Sequence, residues 1–160
     1  MTQNNDRFLG GCVCGQVRYQ LTADPLFVHC CHCTWCQRET GSAFALNAMI
    51  EADKVQVLKG KPQPHDTPSN SGRGQIIWRC PSCAIALWSN YSGAGNKIHF
   101  VRVGTLDGQD LFPPDIHIFT ASKRPWVILP DGVPACPEYY DRKKHWPPKA
   151  LVRLDRVKSG

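Results

Sequence analysis

The sequence predicts an all-β protein with at most short helical turns. Three observations lead there. Its apolar stretches are short and several alternate with polar residues, the period of a strand with one buried face. Proline and glycine number 13 each among 160 residues, which works against long helices. Seven of the nine cysteines fall into close-spaced groups that would clip strands together around metal.

Taken in order, Gln16 to Thr22 places Val17, Tyr19 and Leu21 on one face and Arg18 and Gln20 on the other. Thr34 to Gly41 is the one helical candidate, about two turns long. Phe44 to Ile50 and Lys54 to Leu58 read as strands joined by the turn-like Glu51-Ala52-Asp53. In the stretch from Gly60 to Gly74, Pro62, Pro64 and Pro68 exclude a central strand, so an exposed hairpin or loop is expected. Gln75 to Arg79 and Lys97 to Val103 read as strands, with Ile116 to Phe119 and Trp126 to Leu129 as shorter ones. Leu151, Val152 and Leu154 would add a final strand. His99 and His117, inside predicted strands, read as structural histidines.

The length suits a single domain spanning 1–160, with a basic tail from about residue 137. No apolar run is long enough for a membrane span, and the polar start MTQNNDRFLGG lacks a signal-peptide apolar region. A cytoplasmic, reducing location is therefore expected, where thiols serve metals or catalysis. The formal charge is +6, but residues 141–160 hold seven Lys/Arg against Asp141 and Asp155, so the rest of the chain is close to neutral. Such a tail reads as a solvated terminus, or as a dock for an acidic ligand or a neighbouring subunit. Nucleic acid is not the expected partner, and a homo-oligomer is compatible with the sequence.

The cysteine groups are Cys12-Val13-Cys14, Cys31-His32-Cys33-Thr34-Trp35-Cys36 and Cys80-Pro81-Ser82-Cys83. In C-x-C on a strand both sulfurs project to one side; in C-x-x-C a tight turn brings them together. Tetrahedral zinc needs four donors in a structural site and keeps a position open in a reactive one. Cys12, Cys14, Cys80 and Cys83 would make one closed set. Cys31, Cys33 and Cys36 would make a second, open one, so two zinc ions are expected. Alternation turns Cys30 and His32 away from this second site and leaves His29 in phase with it as the protein candidate for a fourth ligand, water or a substrate thiol being the favoured occupant. Cys30 and Cys136 read as small buried hydrophobes.

GGCVCGQVRYQL, CHCTWCQRETGSAFA, CPSCAIALW, GTLDG and DIHIFTASKRPW, in that order, resemble the glutathione-dependent formaldehyde-activating enzyme family, which also includes centromere protein V. The likeness runs from about Gly10 to Pro134. It implies a fold of several coiled antiparallel sheets, sometimes called a beta-tent. It also implies a structural zinc on Cys12, Cys14, Cys80 and Cys83 and a second zinc on Cys31, Cys33 and Cys36. The chain departs from the family pattern at Ala84, where glycine is usual, and at Gln37, where a basic residue is common.

Three thiolates overcompensate a zinc dication, so water activation is not the best use of the open site. A thiol is softer and more readily deprotonated, so it suits that position better. The residues themselves point as far as activation of a small thiol; the resemblance implies glutathione as that thiol and its addition to a small aldehyde, or the reverse cleavage. The resemblance places this in the carbon–sulfur lyase class, with formaldehyde as the type aldehyde. Cys31, Cys33 and Cys36 would enter catalysis as metal ligands. Arg38, Lys123, Arg124 and Trp126 are candidate walls of a substrate site, and Thr40 and Ser42 candidate donors to a developing alkoxide. The alternative is a non-catalytic zinc-stabilised binding module that uses its basic tail for protein or nucleic-acid contacts.

Overall fold

A computed structural model describes residues 8–160; most of the polar start lies outside them. The alternating segment gives β2 (Arg18–Leu21), which pairs antiparallel with β1 (Leu9–Gly11) and with β5 (Val55–Lys59) in a three-stranded sheet. Val17, Tyr19 and Leu21 are buried on one side, as their spacing requires. The other strands are β3 (Phe27–Cys31), β4 (Ala45–Glu51), β6 (Gln63–Thr67), β7 (Gln75–Arg79), β8 (Ala86–Tyr91), β9 (Ile98–Arg102) and β10 (Ile116–Ile118). They form a seven-stranded sheet in the order β10-β3-β4-β9-β8-β7-β6.

The proline-containing strand β6 lies at the sheet edge, where missing N–H donors cost no ladder bond. Among the described strands, pairing is antiparallel except for β3 with β10, which run parallel with His117 opposite Cys30. Strands β3 and β8 were not among the expected elements. Both are buried along most of their length, so neither shows the alternation that betrays a half-exposed strand.

The helix α1 (Thr34–Thr40) matches the expected two turns and ends at Gly41 in the left-handed conformation, the region glycine enters at no steric cost. Two expectations fail. Trp126 to Leu129 forms no strand, and Trp126 and Ile128 face solvent. The tail adds no strand either. It forms a short helix α2 (Arg142–His145) and a 12-residue helix α3 (Pro148–Ser159). Pro148 stands in the first turn, where its missing N–H is harmless. Ala150, Leu151, Leu154 and Val157 supply the helical apolar stripe.

That stripe packs on the sheet, so the tail is docked rather than solvated. Trp146 is buried and stacks on Phe27 with centroids 5.4 Å apart. Its indole N–H donates to the Tyr140 hydroxyl at 2.6 Å. Arg153 grips the Glu51 carboxylate with two nitrogens, at 2.8 and 2.6 Å, and the Asp24 carbonyl at 3.0 Å. Burial gathers into two cores. One, under the tail, holds Cys31, Cys33, Cys36, Phe27, Trp146 and Leu154; the other holds Cys12, Cys80, Val17, Tyr19, Leu87 and Trp88.

Candidate metal and substrate site

All nine cysteines are free thiols. The fold brings Cys12, Cys14, Cys80 and Cys83 together, with all four sulfurs within 4.8 Å of one another. Cys12 Sγ lies 3.5 Å from Cys14 Sγ, and Cys14 Sγ lies 3.7 Å from Cys80 Sγ. Tetrahedral zinc with bonds of about 2.3 Å sets its sulfurs about 3.8 Å apart, so the spacing fits a shared ion and is far too long for a disulfide. The backbone N–H of Val17 donates to Cys12 Sγ at 3.3 Å, a contact that favours a thiolate. Cys80 and Cys83 sit on a tight turn closed by the Ala84 N–H to the Cys80 carbonyl at 3.0 Å. Ala84 there has φ 60°, the left-handed region. The departure from glycine at this position is therefore a strained one.

Cys31, Cys33 and Cys36 form the second group, again with sulfurs within 4.8 Å and all three buried. Strand β3 delivers Cys31. Cys33 is the N-cap of α1, its sulfur accepting the Cys36 N–H at 3.3 Å, and Cys36 lies in the first turn. Hydrogen bonds from Cys31 and Cys36 favour ionisation of Cys33, while the same contact pushes the Cys31 thiol up. The donor set is that of a soft metal ion such as zinc.

Behind Cys36 stands a buried ionic knot. Glu39 on α1 pairs with Arg102 at 2.9 Å and with Arg79 at 2.8 Å. Arg102 also donates to the Asn47 side-chain oxygen. Glu39 thereby ties the helix behind the second group to the residue just before Cys80.

A third group lies on the opposite face of β3. Cys30 Sγ is 3.6 Å from His32 Nε2, which is 2.9 Å from His117 Nδ1. Burial pushes the Cys30 thiol up to about 12 and holds His32 down at about 4, so all three are neutral at physiological pH. The outward alternation expected of Cys30 and His32 is thus present. His117, expected to be a satisfied structural histidine, keeps a buried Nε2 without a partner, as His32 does its Nδ1. His29, the candidate fourth ligand, turns its Nε2 to the Tyr140 hydroxyl and is not part of the sulfur group. Burial, with the Arg142 charge adding to it, lowers its pKa to about 3, so the ring is neutral.

The three-sulfur group opens on a cavity of about 440 Å³. Its walls are mostly aromatic and apolar: Trp35 from α1, Met49, Tyr91 and Phe100 from the sheet, and Ile118 and Phe119 at the end of β10. The tail adds Tyr139, Arg142, Leu154 and Lys158, and the segment before β7 adds Ser69, Ser71 and Arg73. The four-cysteine group does not line this space.

None of the anticipated walls, Arg38, Lys123, Arg124 and Trp126, lines the cavity. Lys123 instead donates to the carbonyls of Arg124 and Val127. Gln37 is buried and ties the His32 and Ser122 carbonyls together at 2.8 and 2.9 Å, so it does not face the cavity. The Thr40 hydroxyl bonds the Cys36 carbonyl, a helix-end contact. Sequence reading missed the tail residues and Arg73. Pro148 followed by apolar residues at helical spacing was the signal available for the tail.

A mostly-β protein that gathers two groups of cysteine sulfurs, one of them at a ligand-sized cavity, belongs to the class of β proteins able to hold metal ions through thiolates. Residues 7–122 match the family model of the glutathione-dependent formaldehyde-activating enzyme, and the chain belongs to that family. It is also similar to a crystal structure of a Rhodobacter sphaeroides protein, with 21% identity over 63% of this chain and 89% of the other, at a TM-score of 0.48. Among the described residues no helix is long and apolar enough to cross a membrane.

Proposed function

We propose that the protein is a zinc-dependent carbon–sulfur lyase that forms or cleaves the adduct of glutathione, or a similar thiol, with a small aldehyde. In this reading residues 1–160 act as one domain. Cys12, Cys14, Cys80 and Cys83 hold a structural zinc, and Cys31, Cys33 and Cys36 hold a second with a position left for substrate. The observation that carries it is the contrast in surroundings: the three-sulfur group lines the cavity of about 440 Å³ and the four-sulfur group does not line it. Zinc on the three sulfurs would supply the positive charge that favours a substrate thiolate.

The chain's own residues do the remainder. Trp35, Phe100 and Ile118 form apolar walls that exclude water and hold the two reactants close. In addition, the substrate sulfur joins the aldehyde carbon, and the thiol proton ends on the former carbonyl oxygen; the reverse breaks the same carbon–sulfur bond. That oxygen gains charge along the way and needs a donor. Asn47 supplies one. Its side-chain oxygen is committed to Arg102, which leaves its amide N–H groups for the cavity it lines. Neutral His29, bound to Tyr140, orients that wall and carries no charge.

The docked tail counts against the alternative of a free basic arm contacting protein or nucleic acid, because Trp146, Ala150 and Leu154 are buried in the core. The test is exchange NMR on zinc-loaded protein with glutathione and formaldehyde. The expected result is faster formation of the hydroxymethyl adduct than in buffer, lost in Cys33→Ser. Rates equal to buffer for the zinc-loaded wild type would overturn the reading.

A further inference from the structure

We infer that the C-terminal tail builds a carboxylate-recognition rim on the cavity, with Arg142 as its specificity-determining residue, so that the site selects thiols bearing carboxylates over neutral ones. The inference rests on the thiol–aldehyde reading for the identity of the ligand and on separate observations for the rim.

Three cations line the cavity, Arg73, Arg142 and Lys158, and no Asp or Glu does. Arg18, Arg79, Arg102 and Arg153 are all paired with carboxylates. Among the described residues, none of the three rim cations has such a partner. Other cations of the chain, Arg38 and Arg124 among them, also have no carboxylate partner among the described residues, but these three are set apart by lining the cavity. Unpaired cations around a concave, largely apolar wall focus field on an incoming anion.

Arg142 is the best held of the three. It is half-buried, whereas Arg73 and Lys158 are exposed. Its guanidinium lies 6.0 Å from the centroid of the Trp146 ring. That ring is fixed in turn by stacking on Phe27 and by its bond to Tyr140. A guanidinium fixed on an aromatic platform keeps its fork of N–H donors free and loses little entropy when a carboxylate arrives.

The family match ends at residue 122, so Tyr139, Arg142 and Lys158 lie beyond the matched segment. Cys31, Cys33, Cys36 and Arg73 lie inside the matched segment, while the other two rim cations, Arg142 and Lys158, are supplied by the tail beyond it. Glutathione carries a carboxylate at each end and a net negative charge, and it fits a rim of this sign.

The experiment uses S-methylglutathione, whose capped sulfur cannot become a thiolate, so that binding reports the rim alone. Calorimetry would compare it with its diethyl ester on the zinc-loaded wild type, Arg142→Gln, Arg142→Lys and the neighbouring-charge control Lys143→Gln. The expected result is a preference for the acid over the ester in the wild type. Arg142→Gln should cut that preference by about tenfold, the scale of one charged hydrogen-bonded contact. Arg142→Lys should keep part of it, and Lys143→Gln should match the wild type. Equal binding of acid and ester, no binding of either, or a preference that Arg142→Gln leaves intact would overturn the inference. The thiol reading fails separately, if free glutathione binds no more tightly than its S-methyl derivative.

Discussion

The two sulfur groups use the same ligand chemistry in opposite surroundings. The four-cysteine group joins Cys14 and Cys80, 66 residues apart, at the margin of one core, with Cys14 exposed and none of the four lining the cavity. The three-cysteine group comes from six consecutive residues, is wholly buried, and lies at the cavity. In the proposed reading a metal ion on the first would close a long loop, so its donors would serve stability. One on the second would close almost none, so the fold would gain little from it and its donors would be free to serve a ligand. Spacing along the chain would then separate a clip from a working site.

Paired serine substitutions test that contrast most severely. Cys83→Ser should remove one equivalent of metal and several kcal/mol of stability, enough to leave the chain largely unfolded. Cys33→Ser should also lose one equivalent but stay folded, within about 1 kcal/mol of wild type, because serine still caps α1 in place of the Cys33 sulfur. Elemental analysis with chemical denaturation decides the matter, and similar unfolding of both variants would erase the distinction.

A second test asks whether the tail belongs to the cavity side alone. Trp146→Ala should cost about 3–5 kcal/mol, as for other buried aromatic truncations. Hydrogen exchange should rise around β3 and the cavity while the strands beside Cys12 and Cys80 stay protected. Uniform loss of protection would mean the two cores are not separable. The smallest effect concerns the turn of the clip. Ala84→Gly should raise the unfolding free energy by about 0.5–1 kcal/mol, since relief of left-handed strain exceeds the entropy added to the unfolded chain. A lower denaturation midpoint would show that φ 60° is not strained there.

The parts legible in the sequence were those with a periodic or local signal. Val17, Tyr19 and Leu21 announced β2 by alternation, Gly41 announced the end of α1, and the cysteine spacings announced both sulfur groups. Strands β3 and β8 were hidden because burial on both faces removes alternation. The tail was misread because Leu151, Val152 and Leu154 look strand-like in isolation. Only Ala150 and Val157 complete the helical stripe. The cavity walls were the least legible part. Arg73, Phe100 and Arg142 carry no mutual spacing, and only tertiary packing brings them around the sulfurs.

Strand β3 has a further consequence. Its alternation sends Cys31 toward the cavity while Cys30 lies behind, with His32 and His117. A one-residue slip of this strand would exchange the two faces and offer the cavity a mixed thiol–imidazole set in place of three sulfurs. The harder imidazole donors would change both the charge and the metal preference of the centre. The parallel pairing of His117 with Cys30, and of Ile118 with Cys31, opposes that slip. By holding that register, β10 fixes which side chains of β3 face the cavity, and in the proposed reading it would thereby set the metal chemistry without contributing a sulfur.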